Sequence, residues 1–350
     1  MRVDDLKYLL AYSIPLVTLY AVQAEGLGSY ATVLYAFVCI PVLEVALAER
    51  DERYSETEKQ SRLANRLFDV LLYLNLPFVL GLLGYGFWQL STQDQTWSTQ
   101  VGQVLSLGIM LATNGINVAH ELGHRLSSPS RYLAKLLLCP SLYMHFYIEH
   151  NFGHHKNVAT PEDPASASKN QSVYAFWFTS IIGQYRSALR LQRDLLTQRK
   201  AGFWSVYNDL LWYAFFQAGY LGLLFALWGG WAVVYAVLVA LVSVLMLETI
   251  NYIEHYGLQR KKINAHRYER VLPVHSWNSN HIVGRLVLYE LTRHSDHHHR
   301  ASKKYQILEN KTESPQLPWG YPTSMLVALV PPLWFYWMHP RLGQCSAPQS

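Results

Sequence analysis

Nine of the fifteen histidines in this 350-residue chain fall in four short clusters, and these are the residues whose type and spacing could do chemistry. His120 and His124 stand four apart in His120-Glu-Leu-Gly-His124, a spacing that shares one helix face. His150 and His154 repeat it in Glu149-His-Asn-Phe-Gly-His-His155, where His155 adds a neighbour. His255 closes Asn251-Tyr-Ile-Glu-His255. His294, His297 and His298 stand at i, i+3 and i+4, again one face. Imidazole suits iron, copper and zinc. One ion with four to six ligands cannot use nine imidazoles, whereas two ions at four or five each can. Spacing leaves open which histidine serves which ion. Glu121, Glu149, Glu254 and Asp296 each adjoin a clustered histidine, and Asn251 precedes His255 by one turn. Such groups could ligate, but their expected role is to orient the imidazole N–H groups.

A one-metal reading also exists. His120-Glu-Leu-Gly-His124 fits the HExxH zinc-protease pattern, with Glu121 as general base. That reading leaves seven clustered histidines without a task. The ordinary role of a lone histidine is a packed or surface polar group. His145, His266, His281, His299 and His339 are read that way, and His275 is kept as a further functional candidate.

The elements that must carry these clusters are apolar helices. Half the residues are apolar (51%) and only 15% are charged. A membrane span takes about 20 mostly apolar residues. Six stretches fit: 6–24, 30–48, 68–90, 101–119, 209–228 and 231–253. Segments 132–148 and 174–182 are too short or interrupted, and are expected at the interface or buried. Segment 325–338 carries Pro331-Pro332 and is expected to lie against the bundle. The first apolar run lacks a cleavage site and more apolar runs come after it, so it reads as a span and not as a signal peptide. The expected fold is an all-α bundle of six membrane helices, one integral-membrane domain over 1–350, with histidine-bearing regions at 120–208 and 254–350.

All 29 Lys and Arg fall on one side of that map, with none in the three connectors near 25–28, 91–100 and 229–230. Positive residues mark the cytoplasmic side, so both termini and all fifteen histidines are expected there. The net charge of +5 follows from this bias, and nucleic acid is not an expected partner. Cys39, Cys139 and Cys345 are far apart, which excludes a disulfide framework and a four-cysteine iron site. Electrons for redox chemistry must come from outside. Glu44, Asn75, Asn114, Asn117 and Glu248 are polar residues within spans, where each is costly unless hydrogen-bonded inside the bundle. Asn117 and Glu248 are expected to support His120 and His255. Arg186, Arg190 and Arg193 fit either an acidic electron carrier or the membrane surface.

Residues 105–335 resemble the membrane alkane 1-monooxygenases, a family of histidine-rich diiron oxygenases. The resemblance rests on the four histidine clusters, Ala159-Thr-Pro-Glu-Asp-Pro-Ala-Ser-Ala167, Asn251-Tyr-Ile-Glu-His-Tyr-Gly-Leu258, His275-Ser-Trp-Asn-Ser279 and Leu317-Pro-Trp-Gly-Tyr321. The wording of Asn251–Leu258 separates this family from the fatty-acid desaturases, which share the looser histidine spacing. Glu49-Arg-Asp-Glu-Arg-Tyr54 and His299 depart from the family's usual wording. The resemblance implies two iron ions held by His120, His124, His150, His154, His155, His255, His294, His297 and His298. It implies O2 as oxidant and a medium- or long-chain n-alkane as substrate, converted to a 1-alkanol. It also implies electrons from NAD(P)H through a separate reductase and rubredoxin, and residence in a bacterial inner membrane. The alternatives are a xylene-type methyl monooxygenase or a membrane lipid desaturase or hydroxylase. An alkane has no polar handle, so Trp, Phe and Leu of spans one to three and six are expected to line its pocket.

Overall fold

The structure, a computed structural model, describes residues 3–47, 49, 51–265 and 267–346. His266 and Ala48, the end of the second expected span, lie outside the described residues, as do Arg2 and Arg50 of the charge map. The described chain is mostly helical; its one sheet is the two-stranded ribbon Lys262–Asn264 with Arg267–Tyr268.

Among the described residues, four helical stretches are long and apolar enough to cross a membrane: Gly26–Ala46, Leu67–Thr92, Trp97–Gly123 and Asp209–His255. The first covers 30–46 of the expected span 30–48 and ends at Ala46, where Leu47 turns extended; the second and third hold 68–90 and 101–119. The fourth holds both 209–228 and 231–253. It has 47 residues, broken at Gly229, where φ is +77° and ψ −170°. Glycine, without a Cβ, adopts that conformation readily. The expected first span differs from a continuous membrane helix. Val3–Tyr12 is a 3-10 helix, and only Ser13–Gln23 is α-helical. Pro15 has no N–H to give to Ala11, so the α-helical ladder cannot extend through this point in the usual way.

Trp97–Gly123 is the central element. Its most apolar window is 83% buried, against 22–39% for the other three stretches. Small residues allow the close approach. A Cβ on Gly102 would fall 2.1 Å from Ser29 Oγ and 2.9 Å from the Ser29 carbonyl carbon. Ser106 Oγ donates to the Ser29 carbonyl at 2.8 Å, and Gln103 Nε2 to the Val22 carbonyl at 2.9 Å.

The intramembrane polar residues are hydrogen-bonded between elements, as their cost requires. Asn114 Nδ2 donates to Asn75 Oδ1 at 2.8 Å, and Asn75 Nδ2 to Tyr289 Oη at 2.9 Å. Asn117 Nδ2 donates to the Leu288 carbonyl at 3.0 Å, and Glu44 Oε1 accepts from Gly284 N–H at 3.1 Å. Together these bonds draw segment 282–289 onto the helices, directly ahead of His294. Asn117 thus supports the site through the backbone of that segment and not through His120. Helices Tyr321–Ala328 and Pro331–Ser346 pack against the foot of Asp209–His255, with Trp334 and Met338 buried among Tyr252 and Tyr256.

Candidate metal centre

The four clusters ride on helix ends. Trp97–Gly123 passes through a π-helical stretch, Leu111–Ile116, before presenting His120, and His124 comes just after its last turn. A short helical run over 146–157 is π-helical at His150–His154. His255 ends the longest helix, and His294–His299 forms a helix of its own.

These ends bring all nine imidazoles together in two groups. His120, His124, His150, His155 and His297 form one; His154, His255, His294 and His298 form the other. Within each group the candidate ligand atoms lie within 4.8 Å of one another. In the first, the Nε2 atoms of His124, His150 and His155 are 3.0–3.2 Å apart. In the second, His298 Nε2 is 2.8 Å from His294 Nε2 and 3.2 Å from His154 Nε2, and His294 Nε2 is 3.2 Å from His255 Nε2. The groups adjoin: the rings of His155 and His298 are 4.5 Å apart.

This donor set fits a cation in each group. Burial, reinforced by neighbouring imidazoles, drives the pKa of His124, His150, His155, His294, His297 and His298 down, which leaves neutral rings with free lone pairs. Metal–imidazole bonds of about 2.0–2.1 Å at right angles place neighbouring nitrogens about 3 Å apart, the spacing seen here. His120 Nε2 and His297 Nε2 are buried with no hydrogen-bond partner among the described residues.

The surrounding carboxylates divide. Asp163 Oδ2 meets His154 Nδ1 at 2.9 Å and accepts from Ser166 Oγ at 2.6 Å, while Asp163 Oδ1 accepts from Ala165 N–H at 3.1 Å. This is the carboxylate–histidine pairing that fixes ring orientation. Burial works against charge on both partners, yet their attraction prevails: the His154 pKa is raised and that of Asp163 lowered. Spacing and residue type do not single out Asp163 in the sequence; only the wording of the 159–167 segment points near it. Glu254 reaches the site as well. Its Oε2 is 3.2 Å from His294 Nε2, and its Oε1 accepts from Tyr321 Oη at 2.8 Å.

Of the other expected supports, Glu121 and Asp296 face elsewhere. Glu121 pairs with Arg125 at 2.6 Å and accepts from Tyr305 N–H at 3.2 Å. It is therefore turned from the imidazoles, and the HExxH reading loses its general base. Asp296 takes Lys303, Lys311 and the Glu309 N–H because its helix turns that face away from the histidines. Glu149 is buried under Gly153, and burial pushes its pKa up to about 8. Asn251 donates to Glu248 at 3.3 Å, and Glu248 also binds Tyr143, Ser180 and Gln184, joining three segments. His275 meets Glu269 at 3.2 Å and accepts from Leu272 N–H at 3.0 Å, closing its own turn outside both groups. His145, His281, His299 and His339 are also outside the groups.

A cavity of about 30 Å³ touches both groups, bounded by His120, His150 and His294, by Ala112, Phe146, Leu247, Ile250 and Leu291, and by the polar side chains Asn117, Asn251 and Glu254. Its membrane-helix walls come from the fourth and sixth expected spans; spans one to three do not reach it, because the buried central helix stands between. A larger apolar cavity, about 950 Å³ between the Leu67–Thr92 helix and the first arm of Asp209–His255, includes none of the nine histidines.

Membrane-length helices over a floor of gathered imidazoles define a class, the histidine-rich integral-membrane proteins. A fatty acid desaturase family model matches residues 95–328. An alkane 1-monooxygenase of Pseudomonas putida is 37% identical over 325 residues, 92% of this chain and 80% of that one. Another from Acinetobacter baylyi is 37% identical over 310 residues, 87% of this chain and 74% of that one. The xylene/toluene monooxygenase hydroxylase component XylM of Pseudomonas putida is 28% identical over 348 residues, 95% of this chain and 87% of that one. The chain belongs to the alkane 1-monooxygenases within the fatty acid desaturase family, and is a monooxygenase.

Proposed function

We propose that this chain hydroxylates the terminal methyl group of a medium- or long-chain n-alkane to a 1-alkanol. The observation that carries this is the small apolar cavity, sized for about one methyl group, that opens on both imidazole groups beneath membrane helices. Two iron ions, one in each group, would supply the oxygen chemistry. The nine histidines are their proposed ligands. The overall change consumes the alkane, O2, two electrons and two protons, and gives the alcohol and one water.

The chain's own residues have separable tasks. Leu247, Ile250, Leu291 and Phe146 exclude water and hold the methyl end by shape, since an alkane offers no hydrogen bond. Asp163 holds the His154 ring by its Nδ1 proton, and Tyr321 holds Glu254 beside His294. Chain and bilayer share the substrate, because alkanes concentrate in lipid. Six crossings within one domain over 1–350 are proposed from the six apolar stretches, and both termini in the cytoplasm from the one-sided Lys and Arg distribution; the resemblance to the alkane monooxygenases supports a bacterial inner membrane as the site. Electrons are proposed to reach the site from NAD(P)H through a separate reductase and rubredoxin.

The test is conversion of octane or hexadecane to the 1-alkanol in membranes supplied with rubredoxin, reductase and NADH, with the product identified. The greater identity to alkane monooxygenases than to XylM favours alkanes. Oxidation of xylene methyl groups with inert alkanes would replace this reading with the xylene-type one.

A further inference from the structure

The Val173–Gln198 helix has three faces, and only one is explained by the site. Phe176, Ser180, Gln184 and Ser187 form its buried face. Tyr174, Phe178, Ile182, Tyr185 and Leu189 recur at helical spacing and are exposed. Arg186, Arg190 and Arg193, at i, i+4 and i+7, form a third strip directly beside the apolar one, also exposed. None of the three guanidinium groups has a carboxylate partner among the described residues. They line a groove of about 500 Å³ with Pro161, Pro164 and Leu189, in which Glu162 is the single carboxylate.

The segment C-terminal to this helix sets the depth of the strip. Phe203, Trp204, Val206 and Tyr207 are exposed just before the membrane-length helix begins at Asp209, and Trp204 is 84% exposed. Aromatic residues of that kind mark the headgroup level of a bilayer. An apolar strip with an adjoining basic strip, at that level, matches a helix lying in the interface.

We propose that Arg186, Arg190 and Arg193 form a binding site for the phosphate of an anionic phospholipid, with its acyl chains along Phe178, Ile182, Tyr185 and Leu189. Charge complementarity selects the lipid: three unpaired guanidinium groups against one carboxylate favour phosphatidylglycerol over a zwitterionic headgroup, and guanidinium binds phosphate by paired N–H bonds. The adjoining apolar strip favours a lipid over an acidic protein, for which exposed Phe178 and Ile182 would have no purpose.

The test uses the full-length protein in mixed micelles containing phosphatidylglycerol and phosphatidylcholine, with bound lipid counted by native mass spectrometry. The wild type should retain phosphatidylglycerol preferentially. The preference should fall about fivefold for each arginine replaced by glutamine. The Arg186→Lys, Arg190→Lys, Arg193→Lys variant, which keeps the charge and loses the paired N–H donors, should fall between the wild type and the triple glutamine variant. Equal retention of the two lipids by the wild type overturns the proposal, as does an undiminished preference in the triple glutamine variant. If that variant instead raises the KM for an added rubredoxin while its lipid preference is unchanged, the strip is a protein-docking face and the lipid site is wrong. If the triple glutamine variant does not fold, Arg193→Gln alone carries the comparison, with the same two outcomes. The lipid readouts do not depend on alkane turnover, so failure of the lipid site leaves the proposed reaction untouched.

Discussion

His150 and His155 stand five residues apart and place their Nε2 atoms 3.0 Å from each other, while His154 between them belongs to the other imidazole group. The cause is the π-helical turn His150–His154. Hydrogen bonds from i to i+5 widen the turn, and the fifth residue returns to the face of the first. One turn of backbone thereby supplies both groups.

That arrangement predicts separate losses. His155→Ala removes a donor from the five-imidazole group and His255→Ala one from the four-imidazole group. Each variant should purify with less iron per chain than the wild type, and His255→Ala the less of the two, because its group keeps only three imidazoles. Alkane oxidation should fall at least a hundredfold in both. Metal analysis of the purified variants checks this; full iron and full turnover in His255→Ala would remove that residue from the ligand set.

Asp163→Asn keeps the shape of the side chain and removes its charge. His154 then loses the carboxylate on its Nδ1. Outer partners of this kind typically change metal affinity or activity by about 10–100-fold. The expected result is an iron-release midpoint, titrated with chelator, shifted by about that factor, together with a lower melting temperature of the metal-free protein, which loses the buried attraction between Asp163 and His154.

Gly102→Ala tests the packing that centres the bundle. The added Cβ meets Ser29 backbone as well as its hydroxyl, so no rotamer change relieves it. Overpacking of this kind costs about 1–3 kcal/mol. Gly219→Ala, where a Cβ would meet nothing within 4 Å, should leave the thermal midpoint nearly unchanged.

Acid should unfold the protein through carboxylates joined to buried cations. Burial pushes the Glu290 pKa up, but Arg293 and Arg285 outweigh it and the net shift is down. Glu52 behaves alike: burial raises its pKa, Lys7, Tyr54 and Arg285 lower it, and it falls to about 2. A lowered folded-state pKa gives stability that is complete above the unfolded value of about 4.3 and lost as pH falls through the folded one. Melting temperature should therefore decline from about pH 4.5 toward pH 2. Glu290→Gln should flatten part of that slope and destabilise at neutral pH by about 3–5 kcal/mol, because buried Arg285 and Arg293 both lose the charge of the Glu290 carboxylate. An unchanged slope in Glu290→Gln would show that other carboxylates carry the acid transition.

Much of the site was legible because its signals are local. Histidine spacing, the apolar blocks and the absence of paired cysteines are all read within a few residues. The supports were less legible. Glu121 and Asp296 adjoin histidines in the chain but turn to Arg125 and to Lys303, since neighbours on a helix point about 100° apart. Asp163 supports His154 from nine residues away through a folded loop, which no spacing rule reaches. The first span, expected as one helix, begins with a 3-10 segment because a single proline breaks the ladder.

By itself the sequence singled out nine clustered histidines and the apolar stretches that end at His120 and His255, because hydrophobic length and residue type are properties of short segments. Only the tertiary structure decided the partition into five and four imidazoles, the place of Asp163 and Glu254, and the walls of the small cavity. Those depend on a π-helical turn and on the crossing of distant helices, and both are set by packing between residues far apart in the chain.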